Sequence, residues 1–237
     1  MHGDHHHDTL LTVHNLSVEL GGREVLSNIS FGIQSGEFLA ILGPNGSGKS
    51  TLLKALLGIL PSSGTVTWSE RPLNISFLPE GLSPEKFRES PLTLKEFFRE
   101  KTDSHEKILE AFSLVGLKEQ DILDRNPGEL SAGQFQRMLI AWSIIDKPDV
   151  LLFDEPTLGI DIGGEETIYT LLHKLWKGTG LTIILVTHEI NVVFAYATHV
   201  LCIRREKLFS GEPKEILTPE NLQELYGSAI RFHTPHA

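Results

Sequence analysis

Cysteine is nearly absent from these 237 residues, with Cys202 alone inside the apolar run at 199–203. One thiol can form neither a disulfide framework nor a cysteine metal site, so its expected role is a small buried hydrophobe in a reducing compartment. Long apolar runs are missing too: the stretch at 181–186 has core-strand length, far below the roughly 20 residues of a spanning helix. Basic residues are in deficit, 21 Lys and Arg against 31 Asp and Glu, and the formal charge of −10 repels phosphate backbones, setting nucleic acid aside as a partner. No internal repeat appears. Residues 1–8 hold no apolar signal region, so secretion is not expected. A chain of this length can bury one core with a small appended subdomain.

What is present reads as alternating layers. Residues 10–42 carry β-patterned segments interrupted by the turn pair Gly21 and Gly22, which predicts an antiparallel layer. The wholly apolar run 38–42 predicts a strand buried on both faces, with a helix over 49–57 after it. From about 83 to 120 charged helical segments place Leu94, Phe97 and Phe98, then Ile108, Leu109, Phe112 and Val115, at helical spacing. A strand at 150–153, a helix bearing Ile168, Leu171, Leu172 and Leu175 on one face, and a strand at 182–186 then alternate as a parallel-sheet core. Gly178 and Gly180 are expected to end that helix.

Between the buried strand and the helix lie Gly43, Pro44, Asn45, Gly46, Ser47, Gly48, Lys49, Ser50 and Thr51. Glycine at both ends and a Lys-Ser pair in a strand-to-helix context make a phosphate-cradling loop. Phosphates need several backbone N–H groups at close range, and the helix start adds its positive dipole end. Lys49 then reaches the β and γ phosphates and Ser50 ligates Mg²⁺, which points to ATP. The apolar strand at 150–153 runs into Asp154 and Glu155. Asp154 suits the Mg²⁺ side; Glu155, expected on the opposite face of the strand end, is the candidate general base for an attacking water.

The segment Leu130, Ser131, Ala132, Gly133, Gln134, Phe135, Gln136, Arg137 resembles the signature of ATP-binding-cassette ATPases, whose usual form has Gly where Ala132 stands. Asp154, Glu155, Pro156 and Thr157, then Gly159, Ile160 and Asp161, then Val186, Thr187, His188 and Glu189, follow in that family's order. The resemblance spans about residues 10–227. It implies an α/β fold: a P-loop NTPase parallel-sheet core with an antiparallel β layer and a small α-helical subdomain at about 81–145. A His-rich tail at 1–9 and a second tail at 228–237 flank it. Ser131 and the backbone around Ala132 and Gly133 open a helix, a second anion-binding end, with Ser131 also an ordinary N-cap. In the resembling family two cassettes sandwich two ATPs head to tail, so Ser131, Ala132, Gly133 and Gln134 would read the nucleotide of a second copy of the chain. Asp161 resembles the residue that communicates across that dimer, or else caps the following helix. His188 matches the switch histidine beside the γ-phosphate.

Two positions depart from the family. Glu80 stands where glutamine is usual, and no glutamine occurs between Gln34 and Gln120. A carboxylate there can still contact Mg²⁺, but at about 4 Å from the γ-phosphate it repels by roughly 4 kcal/mol at an effective dielectric near 20. Either hydrolysis is slowed or Glu80 sits protonated. Leu20 replaces the adenine-stacking aromatic, either covering a purine face without π stacking, which leaves GTP open, or lying as a surface strand-end leucine.

Within the family, the short stretch 64–80, the insert at 92–97 and residues 224–227 resemble the zinc and manganese importer branch. That implies an ATPase peripheral to the cytoplasmic face of a membrane. It would dock on a membrane-embedded permease through a groove near the Glu80 loop and the insert, with an extracytoplasmic metal-binding protein in the same system. There Leu82, Phe87 and Leu94 either contact the partner or, as is commoner for such residues, pack internally. A hydrolysis-poor nucleotide-gated interaction module is the alternative. Among the 11 histidines, His2, His5, His6, His7, His233 and His236 lie near the termini, beside Asp4 and Asp8. They are either Zn²⁺ or Ni²⁺ ligands or a solvated or cloning-derived tail.

Overall fold

The computed structural model describes residues 9–118, 122–156, 162–204 and 207–227, the side chains of 162–167 and 207 excepted. In chain order the elements are β1 (Thr9–Leu20), β2 (Arg23–Gln34), β3 (Phe38–Leu42), α1 (Lys49–Leu56), β4 (Ser63–Trp68), β5 (Ile75–Leu78), α2 (Leu94–Arg99), α3 (His105–Val115), α4 (Ala132–Ile144), β6 (Val150–Asp154), α5 (Ile162–Thr179), β7 (Thr182–Thr187), α6 (Ile190–Tyr196), β8 (His199–Arg204), β9 (Lys207–Gly211), α7 (Pro213–Ile216) and α8 (Pro219–Tyr226). The chain divides into two compact units, one holding everything up to Arg71 and from Ile184 onward, the other Pro72–Ile183.

In the first unit, β1 pairs antiparallel with β2 on one side and β4 on the other. The hairpin turns at Gly21 and Gly22, at φ 59° and 75°, the left-handed pair that a tight turn between twisted strands requires. Leu11, Val13, Leu16, Val18, Leu26, Ile29 and Ile33 are fully buried on this layer. Irregular pairing around Asn15 and Asn28 does not orphan their amides, because the Asn15 N–H donates to Ser30 Oγ and the Asn28 N–H to Ser17 Oγ, both at 2.8 Å.

A separate layer of this unit runs β7-β3-β8-β9. All five residues of β3 are buried, as its unbroken apolar run requires, and β3 pairs parallel with β8 in the register Leu39 to His199 through Leu42 to Cys202. Ala40, Leu42, Val200 and Cys202 pack with Val193, Leu217, Leu222 and Leu225, so α6 to α8 cover one face of these strands. Burial there pushes the Cys202 thiol from 9.0 up to about 12, and pushes the Tyr226 hydroxyl up as well. Because the unfolded chain gives up the thiol proton first, stability should fall as pH rises from about 9 to about 12, by at most ~1.4 kcal/mol per pH unit for this group. A chromogenic disulfide reagent at pH 8 is expected to leave the native chain unmodified and to titrate its one thiol after denaturation in urea. Rapid labelling of the folded chain would contradict this packing.

In the second unit β5 and β6 pair parallel, from Ile75 opposite Val150 to Leu78 opposite Phe153. Asp149 organises the strand starts: its carboxylate accepts the Asn74 N–H at 2.8 Å and its carbonyl accepts the Thr182 N–H at 3.1 Å. Helices α2 and α4 each begin with a capping box, Thr93 with Glu96 and Ser131 with Gln134. Their apolar faces meet in an aromatic cluster in which Phe87 packs on Phe97 and Phe135, and Phe97 on Trp142. The Lys101 ammonium lies 4.1 Å from the Trp142 ring centroid and 2.9 Å from Asp146.

The α/β class and the antiparallel layer follow the sequence. Helix α5 buries Ile168, Leu171, Leu172 and Leu175 on its expected face, but it runs through Gly178 to Thr179, and only Gly180, at φ 69°, ends it. A glycine inside a helix costs only about 1 kcal/mol, too little to stop one anchored by four buried residues. Of the two readings of the apolar residues in the insert, Leu94 and Phe87 take internal packing: Leu94 is completely buried and Phe87 belongs to the aromatic cluster. Among the described residues no helix is long and apolar enough to cross a membrane.

Candidate functional site

In the first unit β3 delivers the chain directly into the loop Gly43 to Gly48, and α1 begins at Lys49. Gly43 sits where nothing larger fits: a Cβ there would lie 2.3 Å from the Ile203 carbonyl oxygen of β8 and 2.7 Å from Ser47 Oγ. Gly46 and Gly48 take φ values of 78° and 98°, a left-handed geometry that glycine adopts without strain and that anion-binding turns use. Lys49 is 5% exposed, and its ammonium folds back to donate to the carbonyls of Gly43 at 3.0 Å and Pro44 at 3.1 Å. The Ser47 hydroxyl is buried with no hydrogen-bond partner. A buried cation bonded to two loop carbonyls and a buried hydroxyl without a partner, in a glycine-rich turn before a helix N-terminus, fit a polyphosphate. Ser50 and Thr51 follow in the first turn of α1, both half-buried.

Two more expected residues belong to this unit. His188 is exposed immediately after the end of β7, and Leu20 is 39% exposed at the end of β1, beside the Gly21–Gly22 turn. Neither belongs to the core.

In the second unit β6 ends at Asp154, whose side chain is 2% exposed, and Glu155 follows at φ 48°. Strand alternation was expected to turn Glu155 to the opposite face from Asp154. The left-handed backbone interrupts that alternation, and both residues line one small cavity with Pro79, Gly81, Gln136 and Pro156. A non-glycine residue in this region costs on the order of 1 kcal/mol, and the following proline disfavours it further. Glu80 is exposed in the turn after β5, while its neighbours Pro79 and Gly81 line the cavity.

Ser131 caps α4 by accepting the Gln134 N–H at 3.3 Å, and Gln134 Oε1 accepts the Ser131 N–H at 3.1 Å. Ser131, Gly133 and Gln134 open onto a groove of about 390 Å³ shared with Lys118 and Arg137, a cationic edge beside a helix N-terminus. Ala132 occupies the first turn of α4, where alanine is the better helix former, so its replacement of glycine is conformationally favourable. Asp161, with Thr157 and Gly159, lies outside the described residues, as do the terminal histidines with Asp4 and Asp8. No cluster of three or more His, Cys, Asp or Glu able to hold a metal occurs among the described residues. Gln136 stands inside the signature segment but receives no role there from sequence reasoning; the signal for one was a polar residue on the apolar stripe of α4 between Phe135 and Leu139.

The phosphate loop, the carboxylate-ended strand and the capped signature helix together define an ATP-binding cassette, and residues 26–158 match the ABC transporter family model. The chain belongs to that family and is an ATP-binding, ATP-hydrolysing subunit of it. It is 38% identical over 222 residues to a zinc import ATP-binding protein ZnuC of Cereibacter sphaeroides, covering 92% of this chain and 89% of that one. To the ZnuC of Yersinia pseudotuberculosis it is 35% identical, over 92% and 85% of the two chains. Among solved structures, an inward-facing metal-chelate type ABC transporter superposes with a TM-score of 0.80 at 30% identity, over 92% of this chain and 89% of that one. ABC ATPase subunits of importers dimerise and work with a membrane permease.

Proposed function

We propose that this chain is the ATPase of a divalent-metal importer that carries zinc, with manganese as the second cargo to test. The cargo rests on the likeness to zinc import ATP-binding proteins over 92% of the chain. The motor rests above all on the Lys49 ammonium held over the phosphate loop by the Gly43 and Pro44 carbonyls. On this reading Gly43 to Thr51 bind the ATP phosphates, and Lys49 exchanges its two carbonyl bonds for β and γ phosphate oxygens. Glu155 accepts the proton of the attacking water, His188 donates to the γ-phosphate, and Leu20 covers the base. Ser131, Ala132, Gly133 and Gln134, with Asp161, serve the nucleotide of a second copy in a head-to-tail dimer.

A hydroxyl at the first turn of α1 and a carboxylate at the end of β6 are hard oxygen donors that suit Mg²⁺. Ser50 and Asp154 would hold the ion, with Glu80 as a further carboxylate, and its chemistry there is to neutralise charge on the β and γ oxygens. The dimer works peripherally on the cytoplasmic face against a permease, with an extracytoplasmic protein delivering the metal.

Reconstituting the chain with its permease in vesicles tests the cargo. ATP-dependent Zn²⁺ uptake, abolished by Glu155→Gln and outcompeting Mn²⁺, is expected. Uptake equal with and without ATP, or blind to zinc, would sink the proposal.

A further inference from the structure

The first turns of α4 carry a polar residue in a place that the capping box and the apolar packing do not explain. Phe135, Met138, Leu139, Ile140 and Ala141 are buried, and Gln136 is buried with them at 9% exposure. The other buried polar side chain of this helix, Ser143, is satisfied within it, donating to the Ile140 carbonyl at 2.7 Å. Gln136 is too long for that solution. An amide brings two donors and an acceptor, and at 9% exposure Gln136 reaches the edge of the packed stripe, where those groups can meet water.

The space Gln136 borders is the cavity at the carboxyl end of β6. Its volume is about 10 Å³, room for a single water, and its polar wall includes Asp154 and Glu155. Gly81 and Leu82 line the same cavity, and the Lys86 ammonium donates to the Gly81 carbonyl at 2.5 Å. Glu155 enters this space from a left-handed backbone. Such a residue keeps its direction only if its surroundings hold it there.

We propose that Gln136 is a positioning residue for hydrolysis: its amide, through one water in the cavity both residues line, fixes the direction of the Glu155 carboxylate. The proposal rests on Glu155 acting as the general base. An amide suits the task because it both donates to and accepts from water at every pH without altering the charge. It also supplies, from α4, a neutral amide in a chain whose residue 80 is an acid.

The test is a mutant cycle on the full chain, reading ATP turnover and thermal stability for Gln136→Met, Glu155→Gln and the double variant. Gln136→Met is expected to lower kcat about ten-fold, with KM for ATP within two-fold of wild type and an unchanged or higher melting temperature. On the Glu155→Gln background the same substitution should cost nothing further, because the group it positions is gone. Turnover of Gln136→Met at the wild-type rate, or a loss that repeats in full on the Glu155→Gln background, overturns the proposal while leaving Glu155 as the base. Full turnover of Glu155→Gln itself overturns both.

Discussion

Glu155→Gln is expected to lower ATP turnover by about 10²–10⁴-fold, the usual contribution of a positioned general base, while ATP affinity stays within a factor of two. The residue follows β6, it is partly buried, and it shares a small cavity with buried Asp154. Glutamine keeps the shape and the backbone conformation and removes only the proton-accepting charge. Binding should survive, since the phosphate loop supplies it from residues 43–51 and Glu155 is not part of that loop. Nucleotide-loaded copies should therefore persist after mixing, visible as a slow phase in nucleotide release. Equilibrium titration with a fluorescent ATP analogue, alongside steady-state turnover, separates the two effects. A variant that hydrolyses at the wild-type rate would remove Glu155 from the chemistry.

Gly43→Ala should do the reverse, abolishing binding before chemistry begins. Its new methyl group would stand 2.3 Å from the Ile203 carbonyl oxygen, a backbone atom of a fully buried strand residue, and 2.7 Å from Ser47 Oγ. The Ser47 hydroxyl could turn aside, but the Ile203 carbonyl cannot: β8 is fixed by its pairing with β3 and β9. The loop itself must yield, breaking the perch of the Lys49 ammonium on the Gly43 carbonyl. Overpacking of this kind costs typically about 1–3 kcal/mol, which in a chain of this size lowers the melting temperature by roughly 2–12 °C. Nucleotide affinity should fall by at least a hundred-fold. Unchanged affinity in Gly43→Ala would refute the steric account of the loop.

The strand, loop and helix at 38–56 could be read directly from the residues because every signal there is local: an unbroken apolar run, glycines at fixed spacing, then a Lys-Ser pair. The capping role of Ser131 was equally local. Glu155 was different. Alternation along a strand predicts a face only while the strand continues, and nothing in a Glu-Pro pair announces a left-handed backbone. Gln136 lay hidden because its meaning depends on what α4 packs against. Leu94 shows the same limit, since an apolar residue on an insert looks alike whether it faces a partner or its own aromatic cluster. The running of α5 through Gly178 shows tertiary anchoring prevailing over local propensity.

The sealed Cys202 thiol has a practical side. A chain whose one native sulfhydryl is buried and held protonated behaves toward maleimides as though it had none. A single cysteine introduced at Ile59, 57% exposed in the segment after α1, would then be the sole point of attachment for a dye or spin label, with no need to delete the natural residue. Two labelled copies would form a ruler between the subunits of the proposed dimer in an otherwise native sequence.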